Sequence, residues 1–206
     1  MLLIAQLTAV LLYPFLAGNR VGLAALAVIS MVIVSAALWA VRNTEVLWYV
    51  AILLGVPAMM LSVAEALWPD SGGVELASAA FHVPFYFYVS YALISYLFDD
   101  NFVTTDELWA AAAAFTVVAW GFGYAYVAIQ VIWPGAFVGT TEGPFPFFAL
   151  LFLSFTNLTS VGLSDLLPVD GHARSIVMIQ QVVGVMYVGL VVARIVGLTI
   201  QRARRP

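Results

Sequence analysis

Groups able to do covalent or metal chemistry are scarce in this chain of 206 residues, which carries two histidines, 11 acids, 7 arginines, no lysine and no cysteine. Without cysteine there is no disulfide framework, thiolate zinc site, iron–sulfur ligand or cysteine nucleophile. No H-E-x-x-H occurs, and neither His82 nor His172 stands with a serine in a nucleophile motif, so the chain has no enzyme signature. The segment with polar groups at close spacing is Ser154-Phe155-Thr156-Asn157-Leu158-Thr159-Ser160-Val161-Gly162-Leu163-Ser164-Asp165-Leu166-Leu167-Pro168. The chemistry open to it is that of backbone oxygen. Carbonyls brought into a ring by symmetry-related loops replace the hydration shell of a cation.

The elements that position this segment must lie in lipid. Hydrophobic residues make up 64% of the chain and charged ones 9%, with a mean hydropathy of +1.05. Soluble domains carry about 25% charged residues. Long apolar runs separated by turn chemistry give six expected spans: Leu2 to Ala17, Val21 to Val41, Val46 to Trp68, Val74 to Phe98, Leu108 to Ile132, and Ser175 to Thr199. The start Met1-Leu2-Leu3-Ile4 lacks the basic region of a secretory signal and reads as the first span. Thr104 and Glu107 have capping-box spacing and predict the start of the fifth helix.

Between the fifth and sixth spans, Pro144 to Asn157 is apolar and aromatic yet too short to cross, which predicts a re-entrant segment lining a hole. The expected architecture is all-α, with six transmembrane helices plus a re-entrant pore helix and loop between helices 5 and 6. It divides into a four-helix domain (1–98), a linker (99–107), a pore domain (108–200) and a basic tail (201–206). With both termini cytoplasmic, Arg42, Arg194, Arg202, Arg204 and Arg205 fall inside and Arg20 and Arg174 outside, in line with the positive-inside rule. Trp48, Trp68, Trp109 and Trp133 fall near the expected boundaries as a belt. The scattered arginines form no basic face for nucleic acid. Avoiding lysine and cysteine matches the composition of G+C-rich or salt-adapted prokaryotes.

The stretch from Ser154 to Pro168 resembles the pore loop of the potassium-channel superfamily, in which a short helix leads into a T-x-G-Y-G-D filter. Arg174 follows in the expected place, and Gly184 stands where pore-lining helices of the family carry a glycine, as hinge or as packing contact. The resemblance covers about Leu108 to Thr199. More loosely, the first four helices and the segment Ala193 to Leu198 look like small prokaryotic channel proteins of this superfamily. It implies filter positions Ser160, Val161, Gly162, Leu163 and Ser164, with potassium held at the first four and Asp165 at the outer mouth. It also implies support from Leu153, Thr156 and Thr159 on the pore helix, and a homotetramer in the plasma membrane. No cofactor beyond the permeant ion is implied.

Three positions depart from the family pattern. Leu163 replaces the usual aromatic, and Leu153 stands where many relatives carry the tryptophan that bonds to it, so an apolar pair is expected. Ser164 replaces the second filter glycine, where the family backbone needs a positive φ; serine there costs about 1 kcal/mol of strain per subunit or diverts the loop onto another path. Phe152 and Thr156 stand where relatives tie the outer-mouth Asp to the pore helix, which leaves Asp165 less tightly held. The expected function is a monovalent cation channel with weakened or altered potassium selectivity, sodium included. The alternative, kept open by Ser164, is a non-conducting membrane subunit with a collapsed filter.

The fourth helix has no arginine, so a voltage-insensitive pore is expected. His82 beside Pro84 is a structural histidine or a proton sensor. His172, near Asp170 and Asp165, is a solvated loop residue or a pH sensor. Glu65 and Glu75 flank the third-to-fourth turn as interfacial acids. Arg194 either snorkels or pairs with Asp99, Asp100 or Asp106.

Overall fold

The computed structural model describes residues 2–16, 20–42, 47–68, 71–98, 105–140 and 143–203. The expected turns at Gly18-Asn19, Asn43 to Glu45 and Pro69-Asp70, the linker residues Asp99 to Thr104, and Arg204 and Arg205 lie outside them. Each apolar run becomes a helix, the structure that satisfies its own backbone in lipid. In chain order they are α1 (Leu2–Leu16), α2 (Arg20–Arg42), α3 (Trp48–Leu67), α4 (Gly72–Leu97), α5 (Thr105–Ile132), α6 (Phe147–Leu158) and α7 (Gly171–Ala203). Two short strands, β1 (Phe137–Val138) and β2 (Leu167–Pro168), pair antiparallel on either side of α6.

Helices α2, α3, α4, α5 and α7 are long and apolar enough to cross a membrane. α1 has 15 residues, which at about 1.5 Å per residue falls short of a hydrocarbon core about 30 Å thick. Five of the six expected spans therefore reach spanning length. Pro14, Pro57 and Pro84 lie inside α1, α3 and α4, as membrane helices tolerate. α7 begins four residues before the expected Ser175, because Asp170 caps it: the Asp170 carboxylate accepts the His172 amide at 2.8 Å.

α5 is the hub. Its span is 78% buried, against 22% for α2, α3 and α7. Lipid tails give helices no hydrophobic drive to associate, so close approach and hydrogen bonds must hold them together. α5 supplies the close approach through small residues. A Cβ at Gly121 would lie 3.4 Å from Tyr86 on α4, and one at Gly123 would lie 3.3 Å from Leu151 and 3.4 Å from Phe147 on α6. Aromatic pairs continue the α4–α5 seam, with Phe87 edge-on to Phe122 at 5.0 Å and Tyr86 beside Trp120 and Tyr124. Hydrogen bonds tie the remaining neighbours: Thr116 donates to Gln6 of α1 at 2.7 Å, and Tyr187 of α7 donates to the Ala111 carbonyl. The fourth helix thus packs on the fifth helix of its own chain.

Replacing Gly123 by leucine overpacks the α5–α6 contact and is expected to lower stability by about 1–3 kcal/mol, read as a fall in the thermal unfolding midpoint of the purified protein in detergent.

Candidate functional site

α6 has 12 residues, too few to cross a bilayer, and starts after Pro146. The way it ends shapes the loop. Thr159 is the C-cap; the Ser160 amide donates to the Asn157 carbonyl at 3.0 Å, and the Val161 amide donates to the Thr156 carbonyl at 3.0 Å. This is a Schellman termination, and it requires the left-handed conformation just past the cap. Ser160 occupies that place with φ 58°, and Gly162 follows with φ 67°, its amide also donating to Thr156 at 3.0 Å. The Thr159 hydroxyl donates to the Phe155 carbonyl at 2.8 Å and the Thr156 hydroxyl to Leu153 at 2.9 Å.

The positive φ expected at position 164 falls instead at Ser160 and Gly162. Ser164 follows the other path: its hydroxyl accepts the Leu166 amide at 3.1 Å, a local turn that a glycine could not make. Leu166 is then buried against Leu153, Tyr126 and Phe137. The expected pairing of Leu153 with Leu163 does not form within the chain, because the helix-ending turn throws Leu163 outward to 73% exposure while Leu153 stays 2% exposed. Val161 is 67% exposed, and Ser160, Gly162 and Asp165 are exposed with it. The Thr156 hydroxyl is taken by the Leu153 carbonyl, and the Phe152 side chain has no polar atom to offer Asp165.

The loop returns to a firm base. β1 and β2 bring Val138 opposite Leu167, and the Val169 amide donates to the Ala136 carbonyl at 2.9 Å. Arg174 donates its Nε to the Pro168 carbonyl at 3.1 Å, so this arginine fastens the segment that follows Asp165.

A buried polar chain fixes α6 between α5 and α7. Tyr126 donates to the Gln180 carbonyl oxygen; the Gln180 amide donates to Ser154 at its carbonyl (3.0 Å) and hydroxyl (2.6 Å); and Ser154 donates to the Ala119 carbonyl at 2.7 Å. Tyr126, Ser154 and Gln180 are all fully buried. At the start of α6, Gln130 holds the Phe145 backbone by two bonds of 2.9 and 3.0 Å. Sequence reasoning passed over these residues; the signal was glutamine inside apolar helices, where an amide without a partner is costly. Gly184 lies where α7 crosses the end of α6: a Cβ there would be 1.9 Å from the Leu158 carbonyl oxygen, which gives the glycine a packing reason.

The remaining candidates separate clearly. His82 is fully buried in α4, with Nδ1 3.0 Å from the Ser78 hydroxyl and carbonyl, Nε2 3.3 Å from Ser62, and Tyr124 stacked on it at 4.1 Å. Both ring nitrogens have partners, as a structural histidine requires. His172 is exposed and stacks on Trp133 at 4.1 Å. The Arg194 guanidinium lies over the Phe98 ring at 5.0 Å, joining α7 to the end of α4; Asp99 and Asp100 are outside the described residues. Glu65 near the end of α3 and Glu75 in the first turn of α4 are half-buried and line a cavity. Trp48, Trp68, Trp109 and Trp133 are exposed at helix ends, where a belt belongs.

A short helix that ends in a loop pinned at both ends, set among helices long and apolar enough to cross a membrane, belongs to a multi-pass membrane protein. The model of a family described as "Ion channel" matches residues 85–201, more than half of the chain and the whole of α5, α6 and the loop. The chain belongs to this ion channel family. The comparisons with curated proteins and with solved structures gave no match.

Replacing Gln180 by leucine strands the Tyr126 hydroxyl and frees the Ser154 end of α6; a loss of about 1–3 kcal/mol is expected, measured as a lowered unfolding midpoint. Gly162→Ala places a side chain at φ 67° and is expected to cost about 1–2 kcal/mol, and Ser164→Gly, which removes the acceptor of the Leu166 amide, about 0.5–1.5 kcal/mol, both read as a lowered unfolding midpoint.

Proposed function

We propose that this chain is one subunit of a homotetrameric channel for monovalent cations, with the carbonyls of Ser160, Val161, Gly162 and Leu163 as ion ligands, Ser164 closing the filter and Asp165 at the outer mouth. The observation that carries the reading is the loop at the end of α6. The helix is largely buried by its own chain, apart from Phe152, yet it delivers Val161 and Leu163, 67% and 73% exposed, into open space. Apolar side chains on so firmly held a base call for a neighbour, and closed symmetry is how one loop becomes a ring. α7 agrees: it buries a stripe of Ala173, Val177, Gln180 and Gly184 against its own chain, while Met178, Ile179, Val182, Val185 and Met186 stay exposed. The C-terminal, partly negative end of α6 points toward the loop, which favours a cation there.

Both termini are assigned to the cytoplasm and the loop to the outer face of the plasma membrane, from the arginine distribution. Selectivity for potassium over sodium is expected to be weak. Filter selectivity depends on the number and field of the coordinating carbonyls, and a loop with its left-handed residues at 160 and 162 presents them differently from a T-x-G-Y-G filter. α4 offers no arginine as a gating charge, so the conductance is voltage-insensitive.

Cation flux into liposomes holding the purified protein tests this. Potassium and sodium are both expected to pass, with a reversal potential in mixed salts close to that of a poorly discriminating pore, no steep voltage dependence, and loss of flux in Gly162→Ala. Strong potassium selectivity would overturn the argument from the loop path. Silence from the native protein that Ser164→Gly relieves would favour the non-conducting subunit.

A further inference from the structure

His82 is fully buried, and the bonds that hold its ring also give it a second state. The Ser78 carbonyl, 3.0 Å from Nδ1, can only accept, so Nδ1 carries the hydrogen and Nε2 is bare. The bare Nε2 takes the Ser62 hydroxyl at 3.3 Å. Ser62 in turn accepts from Ser30 at 3.0 Å, and Tyr124 bonds to Ser30. Ser62 has a second acceptor within reach, the Ala58 carbonyl at 3.2 Å. Its single hydrogen can therefore point to the ring or turn away from it, and in the second position the oxygen is free to accept from Nε2.

On the other side of the ring, Ser78 joins it to a charge. The Ser78 hydroxyl lies 3.0 Å from Nδ1 and bonds to Glu65. The ring itself is sealed, but Ser30, Ser62 and Glu65 all line a cavity of about 260 Å³, which has room and polar partners for several waters. The ionisable groups around the ring and the cavity are Glu65 from α3, Glu75 and Tyr86 from α4, Tyr124 from α5 and Tyr13 from α1; among the described residues no arginine joins them. Tyr124 lies flat on the ring at 4.1 Å, a π-face for a cation.

We propose that Ser62 is a two-way hydroxyl that passes protons between the cavity and His82, which makes the ring a proton sensor within the first four helices. A hydronium ion in the cavity gives a proton to the Ser62 oxygen as the Ser62 hydrogen moves to Nε2. Water and an imidazolium remain, and only O–H and N–H bonds change. The Ser62 hydroxyl then turns to the Ala58 carbonyl and accepts from the new Nε2–H, while Nδ1–H stays on Ser78. The Glu65 carboxylate, one hydroxyl away through Ser78, balances the charge. Every donor and acceptor keeps a partner in both states, so the ring changes charge without stranding a polar group. The relay is separate from the loop and works whether or not the loop conducts.

Nitrogen NMR of the full-length protein in detergent tests this, with ring-labelled histidine and His172→Asn to remove the other histidine. At neutral pH the ring is expected to show the Nδ1–H tautomer. Acidification that leaves the fold intact, as read by circular dichroism, is expected to convert it reversibly to imidazolium. Glu65→Gln is expected to weaken the proton affinity of the ring about tenfold, or about one pH unit. Ser62→Ala is expected to slow exchange of the ring hydrogen with deuterated water by about tenfold or more, and Ser62→Thr, which keeps a hydroxyl, to restore it. An Nε2–H tautomer at neutral pH, a ring that stays neutral until the protein unfolds, an affinity unchanged by Glu65→Gln, or an exchange rate unchanged by Ser62→Ala would each overturn the proposal and leave His82 a structural residue. The first two readings need no change to the relay, so they decide the matter even where a relay variant fails to fold.

Discussion

A polar group inside a bilayer must find its partner there, and the placement of α6 rests on that constraint. Gln180 comes from the middle of an apolar helix and bonds to both Tyr126 of α5 and Ser154 of α6. Ser154 passes the connection on to the Ala119 carbonyl. Three helices that gain nothing hydrophobic by touching each other in lipid are thereby locked in one arrangement. The close contact of Gly184 with Leu158 belongs to the same seam, since a side chain there would push α7 off the end of α6.

With α6 fixed, the loop has little freedom left. Its first residues are spent ending the helix: the amides of Ser160, Val161 and Gly162 satisfy the carbonyls of Asn157 and Thr156. That termination sets where the backbone turns left-handed, and so which side chains face outward. The far side is held by β2 and by Arg174. Between these anchors lie Leu163 and Ser164, which depart from the family pattern, and Asp165, which keeps it. One serine serves two ends here, since its hydroxyl takes over the turn that a second glycine would otherwise make through its backbone.

The first four helices are joined to α5 and α6 by an aromatic layer. Tyr13 stacks on Phe148 at 4.2 Å, His82 on Tyr124 at 4.1 Å, and Tyr124 lies 4.5 Å from Phe147. Rings from α1, α4, α5 and α6 therefore meet around the start of α6, and the cavity with its two carboxylates opens among them. Whatever occupies that space touches the element that carries the loop.

Much of this was legible in the residues. Hydropathy and turn chemistry gave the helices to within a few residues, because a chain in lipid has few ways to satisfy its backbone. The short apolar run before a polar, glycine-bearing segment announced a short helix followed by a loop, as α6 and residues 159–166 are. Other features depended on tertiary structure. Ser164 read as the strained position because one glycine was missing from a pattern, but strain follows φ, and φ here was set by how α6 ends, at Ser160. Gln180, Tyr126 and Ser154 are far apart in sequence, so their union was invisible until three helices packed. The same holds for Glu65 and Glu75, which flank a turn in the sequence and line a cavity in the fold: burial is decided by neighbours from α1, α5 and α6, which no local pattern contains.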